Sequence, residues 1–272
     1  AAVPQPVDKL SLDEFLPDDS AALPELPSDA FTPFVLESPL QLDGDLSAAG
    51  LSPNALEGIN ADNLEALSLF GITDRGTRVV ILLDTSNSMF ERQRDGVRHR
   101  FDYQVIKDEV ANLIAGLSPQ TRFNLAIYEG GSLAWRDELV EANRENKALA
   151  TAWLEALSES PSASISSRKA PGTRLIEGGG TRLDTALKQA FGYEPEVIFV
   201  VTDGEINRSG RRINEEEMLE LIRELQGELA DRARIHVVHY ATAVARDVEV
   251  STMRAIAGRN NGRFRRVKAE PL

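Results

Sequence analysis

The chain has no cysteine among its 272 residues, which excludes disulfide staples and thiolate metal sites. It has no run of about 18 apolar residues, so no stretch reads as a bilayer-spanning helix. No basic-plus-apolar stretch reads as a secretory leader. A start at Ala1 rather than methionine leads us to expect a chain from which a leader or anchor has been removed. Aromatics are few, at 6%, and the two tryptophans, Trp135 and Trp153, fall where packing is the expected role. A basic excess is missing too: the formal charge is −13, which gives no support to nucleic acid as a partner. That charge is uneven. Residues 1–76 hold 14 acids and 2 bases, whereas residues 77–272 hold 29 acids and 28 bases.

What is present divides in the same place. Pro4, Pro6, Pro17, Pro24, Pro27, Pro33 and Pro39 punctuate residues 1–50 and defeat any long helix. The spacing thus predicts an acidic, partly ordered arm over 1–76, with a short helix near Asn63–Leu69, and a domain over 77–268. In that domain Thr77–Asp84 and Glu196–Gly204 are apolar runs that end in a carboxylate, the pattern of parallel strands covered on both faces. Further strands are expected over 122–130 and 234–241, at an edge over 133–140, and over 262–267. Helical spacing marks 101–117, 145–157, 181–191, 214–230 (with Asn214 as its N-cap) and 248–262. Residues 91–100 and 158–180 read as loops. Strands alternating with helices predict an α/β fold: a doubly wound, mainly parallel sheet with helices on both faces and one antiparallel edge strand. Sites in such sheets lie beyond the carboxyl ends of the strands, at the switch point.

Oxygen donors gather at those ends. Asp84, Ser86 and Ser88 form a D-x-S-x-S segment directly after the first strong strand. Thr181 follows Gly178-Gly179-Gly180, and Asp203 closes Val201-Thr202-Asp203. A hard cation such as Mg²⁺ takes oxygen ligands in near-octahedral order. The alternative is that the hydroxyls only cap helices and the acids are ordinary strand ends.

The segments DTSNS, GGGT and TDG, in this order on alternating strands and helices, resemble the metal-ion-dependent adhesion site of von Willebrand factor type A domains, over roughly residues 77–268. The resemblance implies a Rossmann-like fold and a non-enzymatic protein-binding module, adhesion-like in character. It implies that Ser86, Ser88 and Thr181 ligate a divalent ion (Mg²⁺, or Mn²⁺ or Ca²⁺), with Asp84 and Asp203 acting through water. It also implies that a coordination place is left to an Asp or Glu carboxylate of a partner protein. Few negative charges around the ion would keep it attractive to that carboxylate. Asn87 departs from the family, which often has glycine there. The resemblance has a bacterial style, and with the polar arm it leads us to expect a membrane-anchored bacterial protein with this domain outside the cytoplasm.

Bases crowd the two loops: Arg92, Arg94, Arg98 and Arg100 in one, Arg168, Lys169 and Arg174 in the other, with Arg182 just beyond. One reading is scattered solvated charge. The sharper one is a rim (Arg92, Arg94, Arg98, Arg168, Arg174, Arg182) that steers an acidic partner to the cation. Enzymatic readings fit less well. A metal-dependent phosphatase or phosphotransferase of the haloacid-dehalogenase kind needs an acid where Ser86 stands. The P-loop, dinucleotide and serine-hydrolase motifs are absent. His99, His236 and His239 have no evident chemical partner, and packing is the expected role. A scaffold with a vestigial metal site is the remaining alternative.

Overall fold

A computed structural model describes residues 66–94, 97–159, 174–176, 181–208, 211–242 and 247–269, all within one compact unit, Ser52–Leu272. The proline-rich arm over 1–50 lies outside these residues. In chain order the elements are β1 (Leu67–Leu69), β2 (Ile72–Asp74), β3 (Arg78–Asp84), α1 (Asn87–Phe90), β4 (Glu91–Arg94) and β5 (Val97–Arg100). Then come α2 (Gln104–Gly116), β6 (Arg122–Tyr128), β7 (Ser132–Ala134), β8 (Val140–Glu141), α3 (Arg144–Glu155), β9 (Arg174–Ile176) and α4 (Leu183–Phe191). The rest are β10 (Val197–Thr202), β11 (Asn207–Arg208), β12 (Arg211–Arg212), α5 (Glu215–Gly227), β13 (Arg234–Ala241), α6 (Asp247–Arg259) and β14 (Phe264–Lys268).

The apolar runs lie side by side in the order β14-β13-β10-β3-β6-β7-β9, with β8 paired to β6. The pairs from β14 through β6 are parallel. The β6–β7, β6–β8 and β7–β9 pairs are antiparallel, so the expected single edge strand is a small antiparallel flank. Alternate side chains of each central strand feed two cores. Val79, Ile81 and Leu83 pack with α2 and α3, as do Phe199 and Val201. Val80, Leu82, Ile198 and Val200 pack with α4, α5 and α6. Burial on both faces explains why these strands read as unbroken apolar runs. The chain leaves β3 for β6 on one side and later returns to β10 on the other, so the switch point lies between the ends of β3 and β10.

The helix starts follow local chemistry. The Asn214 side chain accepts a hydrogen bond from the Glu217 amide at 2.8 Å, and Glu215, Glu216 and Glu217 fill the first turn of α5, where the helix dipole favours them. Asn143 caps α3 in the same way.

Three expectations differ from the structure. Residues 67–69, placed at the end of a short helix, are instead strand β1 of a hairpin with β2. Phe70 and Gly71 have φ of 48° and 74°, the two positive values that a tight two-residue hairpin turn demands. The hairpin precedes residue 77, and its Leu67, Leu69 and Ile72 are buried in the same core as α2. Residues 91–100, read as a loop, form the antiparallel ribbon β4–β5, and Arg174–Ile176 within the second expected loop pairs with β7.

Candidate metal centre

The carboxyl ends of β3 and β10 bring the sequence-distant acids together. Asp84, the last residue of β3, is paired to Tyr128 of β6. On its other side Leu83 pairs with Val201, so Thr202 and Asp203 leave β10 beside it. Asp84 Oδ1 accepts from the Ser86 amide at 2.9 Å, closing an Asx turn that folds DTSNS back over the strand end. Asp84 Oδ2 accepts from the Thr202 hydroxyl at 2.8 Å. Thr202 Oγ1 in turn accepts from the Gly204 amide at 3.0 Å. Neither of these donors to the Asp84 carboxylate carries charge. Burial first, and the nearby Asp203 charge second, push the Asp84 carboxyl well above the usual carboxylate range, against the hydrogen bonds from Ser86 and Thr202. An ionised carboxylate buried beside a second one is costly unless a cation compensates it.

The hydroxyls supply the rest. Ser86 Oγ and Ser88 Oγ are 3.1 Å apart. Adjacent ligands of an octahedral ion with bonds of 2.0–2.1 Å are about 2.9 Å apart, so this spacing suits two neighbouring coordination places. The helix-capping alternative fails here, because Ser86 makes no side-chain cap bond to α1. Thr181 is not a cap either: the N-cap of α4 is Arg182, again without a side-chain bond. Thr181 is held by backbone contacts. Its amide donates to Asn207 Oδ1 at 3.2 Å, its carbonyl accepts from the Asn207 amide at 3.1 Å, and the next amide, of Arg182, donates to the Glu129 carbonyl at 2.8 Å. It therefore lies between the end of β6 and the loop that follows Asp203. Asp84, Ser86, Thr181 and Asp203 are all buried. Among the described residues no cluster of three or more His, Cys, Asp and Glu could hold a metal, so an ion here would rest on hydroxyls and two carboxylates.

Four supporting residues escaped the sequence. Tyr103, an apolar-looking helix position, donates its hydroxyl to the Asp84 carbonyl at 2.8 Å. Thr202 was visible in TDG but carried no assigned role. Asn207 has no local motif. His239, expected only to pack, also places Nε2 at 2.9 Å from the Asp203 carbonyl. As the strand spacing requires, His236 stacks on Phe199 and His239 on Phe264, on opposite faces. Gly204 has φ of 88°, the left-handed region that favours glycine, and this turns the chain out of β10.

Of the basic rim, Arg98 is 73% exposed at its side chain and pairs with Glu91 across the β4–β5 ribbon at 3.2 Å. Arg182 grips Asp184 with two N–H groups at 2.8 and 2.9 Å. The side chains of Arg92, Arg94, Arg168 and Arg174 lie outside the described ones. Trp135 and Trp153 are buried, as expected.

No protein-family model matches the sequence. Over 139 residues, half of this chain, it is 29% identical to von Willebrand factor A domain-containing protein 3B of Homo sapiens, and the match covers 8% of that protein. Similar solved structures include proximal thread matrix protein 1 of the mussel byssus with a zinc-occupied MIDAS motif, at 16% identity and TM-score 0.44, over 72% of this chain and 44% of that one. An uncharacterized membrane spanning protein from Vibrio fischeri matches at 16% identity and TM-score 0.28, over 70% of this chain and 91% of that one. This chain thus spans less than half of the mussel protein and under a tenth of the human one. The sequence match, with the mainly parallel sheet described above, supports a von Willebrand factor A-type domain in this chain.

Proposed function

We propose that this chain is a divalent-metal-dependent protein-binding module whose ion is held by Asp84, Ser86, Ser88, Thr181 and Asp203. The observation that carries the reading is the pair of serine hydroxyls 3.1 Å apart at the end of the strand that bears Asp84, whose carboxyl is raised by burial and by Asp203. Such a site gains from a cation what it loses by burying two acids. A bound Mg²⁺ would supply a positive centre for an Asp or Glu side chain of a partner protein. The chain's own part is to fix the loops. Ser86 N–H and Thr202 hold the Asp84 carboxylate, Tyr103 holds its carbonyl, and His239 holds the carbonyl of Asp203. The β4–β5 ribbon, with arginines at four of its positions, leads directly from the site and would steer an acidic partner at low salt.

Calorimetry with MgCl₂ and MnCl₂ tests the ion. We expect saturable heat for the native protein and none for Asp84→Ala. Equal heats for the two proteins would remove the metal claim. Capture of a binding protein that is lost in EDTA and regained with Mg²⁺ tests the function. A partner held equally well in EDTA would favour the scaffold with a vestigial site.

A further inference from the structure

The sheet ends on one side at β14, which pairs only with β13 among the described strands. The ladder is parallel, with Val237 opposite Phe264 and Ala241 opposite Lys268. The Val237 amide donates to the Arg263 carbonyl at 2.9 Å and the Ala269 amide donates to the Ala241 carbonyl at 3.1 Å. Odd-numbered residues of this segment therefore turn their backbone groups toward β13. By alternation, Phe264, Arg266 and Lys268 turn theirs away from the sheet.

The exposed side chains of β14 carry one sign of charge. Arg265, Arg266 and Lys268 are exposed, and they take part in none of the ion pairs among the described residues. They stand on both faces. Arg265 lies against the turn of the β1–β2 hairpin, close to Gly71. Arg266 and Lys268 share the other face with Phe264, whose ring Arg254 covers at 5.2 Å. Charged side chains on an edge strand commonly keep neutral strands and second copies away. Two such β14 edges brought together would set like charges opposite one another, which is destabilising.

We propose that β14 is a docking edge for an extended acidic segment of a partner protein, added as a strand beside Phe264–Lys268. The outward amides and carbonyls at Phe264, Arg266 and Lys268 would complete a ladder with it. Acidic side chains on its two faces would meet Arg265 on one side and Arg266 and Lys268 on the other. A nucleic acid would satisfy the charges but leave the backbone groups unused, so the edge favours a peptide. The ladder itself needs no ion, although Arg266 lies opposite His239, whose ring meets the Asp203 carbonyl.

The test uses the full chain and a fluorescent peptide of about eight residues in which Glu-Glu pairs alternate with Val-Val pairs, so that acids lie on both faces of the strand, with a Gln-for-Glu counterpart and a single-stranded oligonucleotide as competitors. The acidic peptide should bind in EDTA, and the Gln counterpart should bind at least about tenfold more weakly. Reversal of the charges in R265E/R266E/K268E should abolish this binding and create affinity for a Lys-Val peptide. R266P blocks an outward amide that the β13 ladder does not use, as edge strands tolerate. Its binding should fall well below that of R266Q, which removes the same charge but keeps the amide. Circular dichroism and urea midpoints verify that each variant is folded, and slowed hydrogen exchange at the Arg266 amide of the native protein on adding peptide reports the ladder in the absence of any variant. Equal binding by R266P and R266Q with no slowing at Arg266 would overturn the proposal. So would binding lost in EDTA, or tighter binding of the oligonucleotide than of the acidic peptide.

Discussion

Asp84 has two carboxylate oxygens, and each is already fixed by an uncharged donor, the Ser86 amide or the Thr202 hydroxyl. Their role is to aim the carboxylate, since neither neutralises it. Thr202 carries a double duty, because its oxygen also accepts from the Gly204 amide. Thr202→Val keeps the volume and removes both bonds, leaving a buried amide and a buried carboxylate oxygen each short of a partner. We expect a loss of about 1–3 kcal/mol in urea unfolding together with weaker Mg²⁺ binding by calorimetry. Unchanged values on both would show that the Thr202 hydroxyl is idle. At this scale the sequence was readable where donors are neighbours in the chain. Asp84, Ser86 and Ser88 announce themselves because a single loop holds all three. Tyr103, Asn207 and His239 did not, because each acts through a backbone group that is distant in sequence, and no local pattern marks such a contact.

The elements show where periodicity succeeds and where it fails. The five long helices and the central strands follow the spacing of apolar residues, since each has one or two buried faces to mark it. The β1–β2 hairpin does not, being two strands of three residues each, too short for alternation to stand out. It is tied down by tertiary bonds instead. Asp74 Oδ2 accepts from Arg234 Nε and meets His236 Nε2, both at 2.7 Å, while His236 Nδ1 accepts from the Arg263 amide at 3.0 Å. The histidine is thus neutral, with its proton toward Asp74. Burial pushes the His236 imidazole below its usual value of 6.5, against the pull of Asp74. Burial would raise Asp74, but its bonds from Arg234 and His236 outweigh that and hold it below 3.8. Both shifts act in one direction. As pH falls through 6.5 the unfolded chain takes up the His236 proton before the folded one does, so stability declines. The Asp74 contribution, full above 3.8, is lost at still lower pH, through its folded value. Asp84, whose carboxyl is raised, acts the other way over this range, so the urea midpoint of the native protein relative to that of His236→Gln is what should drop between about pH 7 and pH 5. A difference that stays constant with pH would place the titrating group elsewhere. The turn from α6 into β14 is a second tertiary constraint. A Cβ at Gly262 would lie 1.7 Å from the Ile235 carbonyl oxygen, so Gly262→Ala should cost about 3 kcal/mol or more in the same assay.

For the whole molecule, an ion that binds only the folded state adds to stability by mass action. At a hundredfold excess over its Kd the gain is about 2.7 kcal/mol, a rise of roughly 5–10 °C in Tm for a domain of this size. Thermal unfolding with Mg²⁺ should show this rise, EDTA should reverse it, and Asp84→Ala should lack it. A Tm indifferent to Mg²⁺ in the native protein would contradict the proposed site. The alternation of strands and helices, the double burial of β3 and β10, and the D-x-S-x-S loop are legible in the chain before it folds, because each is written in residues within a few positions of one another. The packing of the folded chain sets the rest: it lays β10 against β3, holds Thr181 between the β6 end and Asn207, and stands Asp203 beside Asp84. It also leaves β14 as a basic edge among the described strands. Those outcomes depend on strand order, which is fixed by packing among elements far apart in the chain and leaves no trace in any single stretch of it.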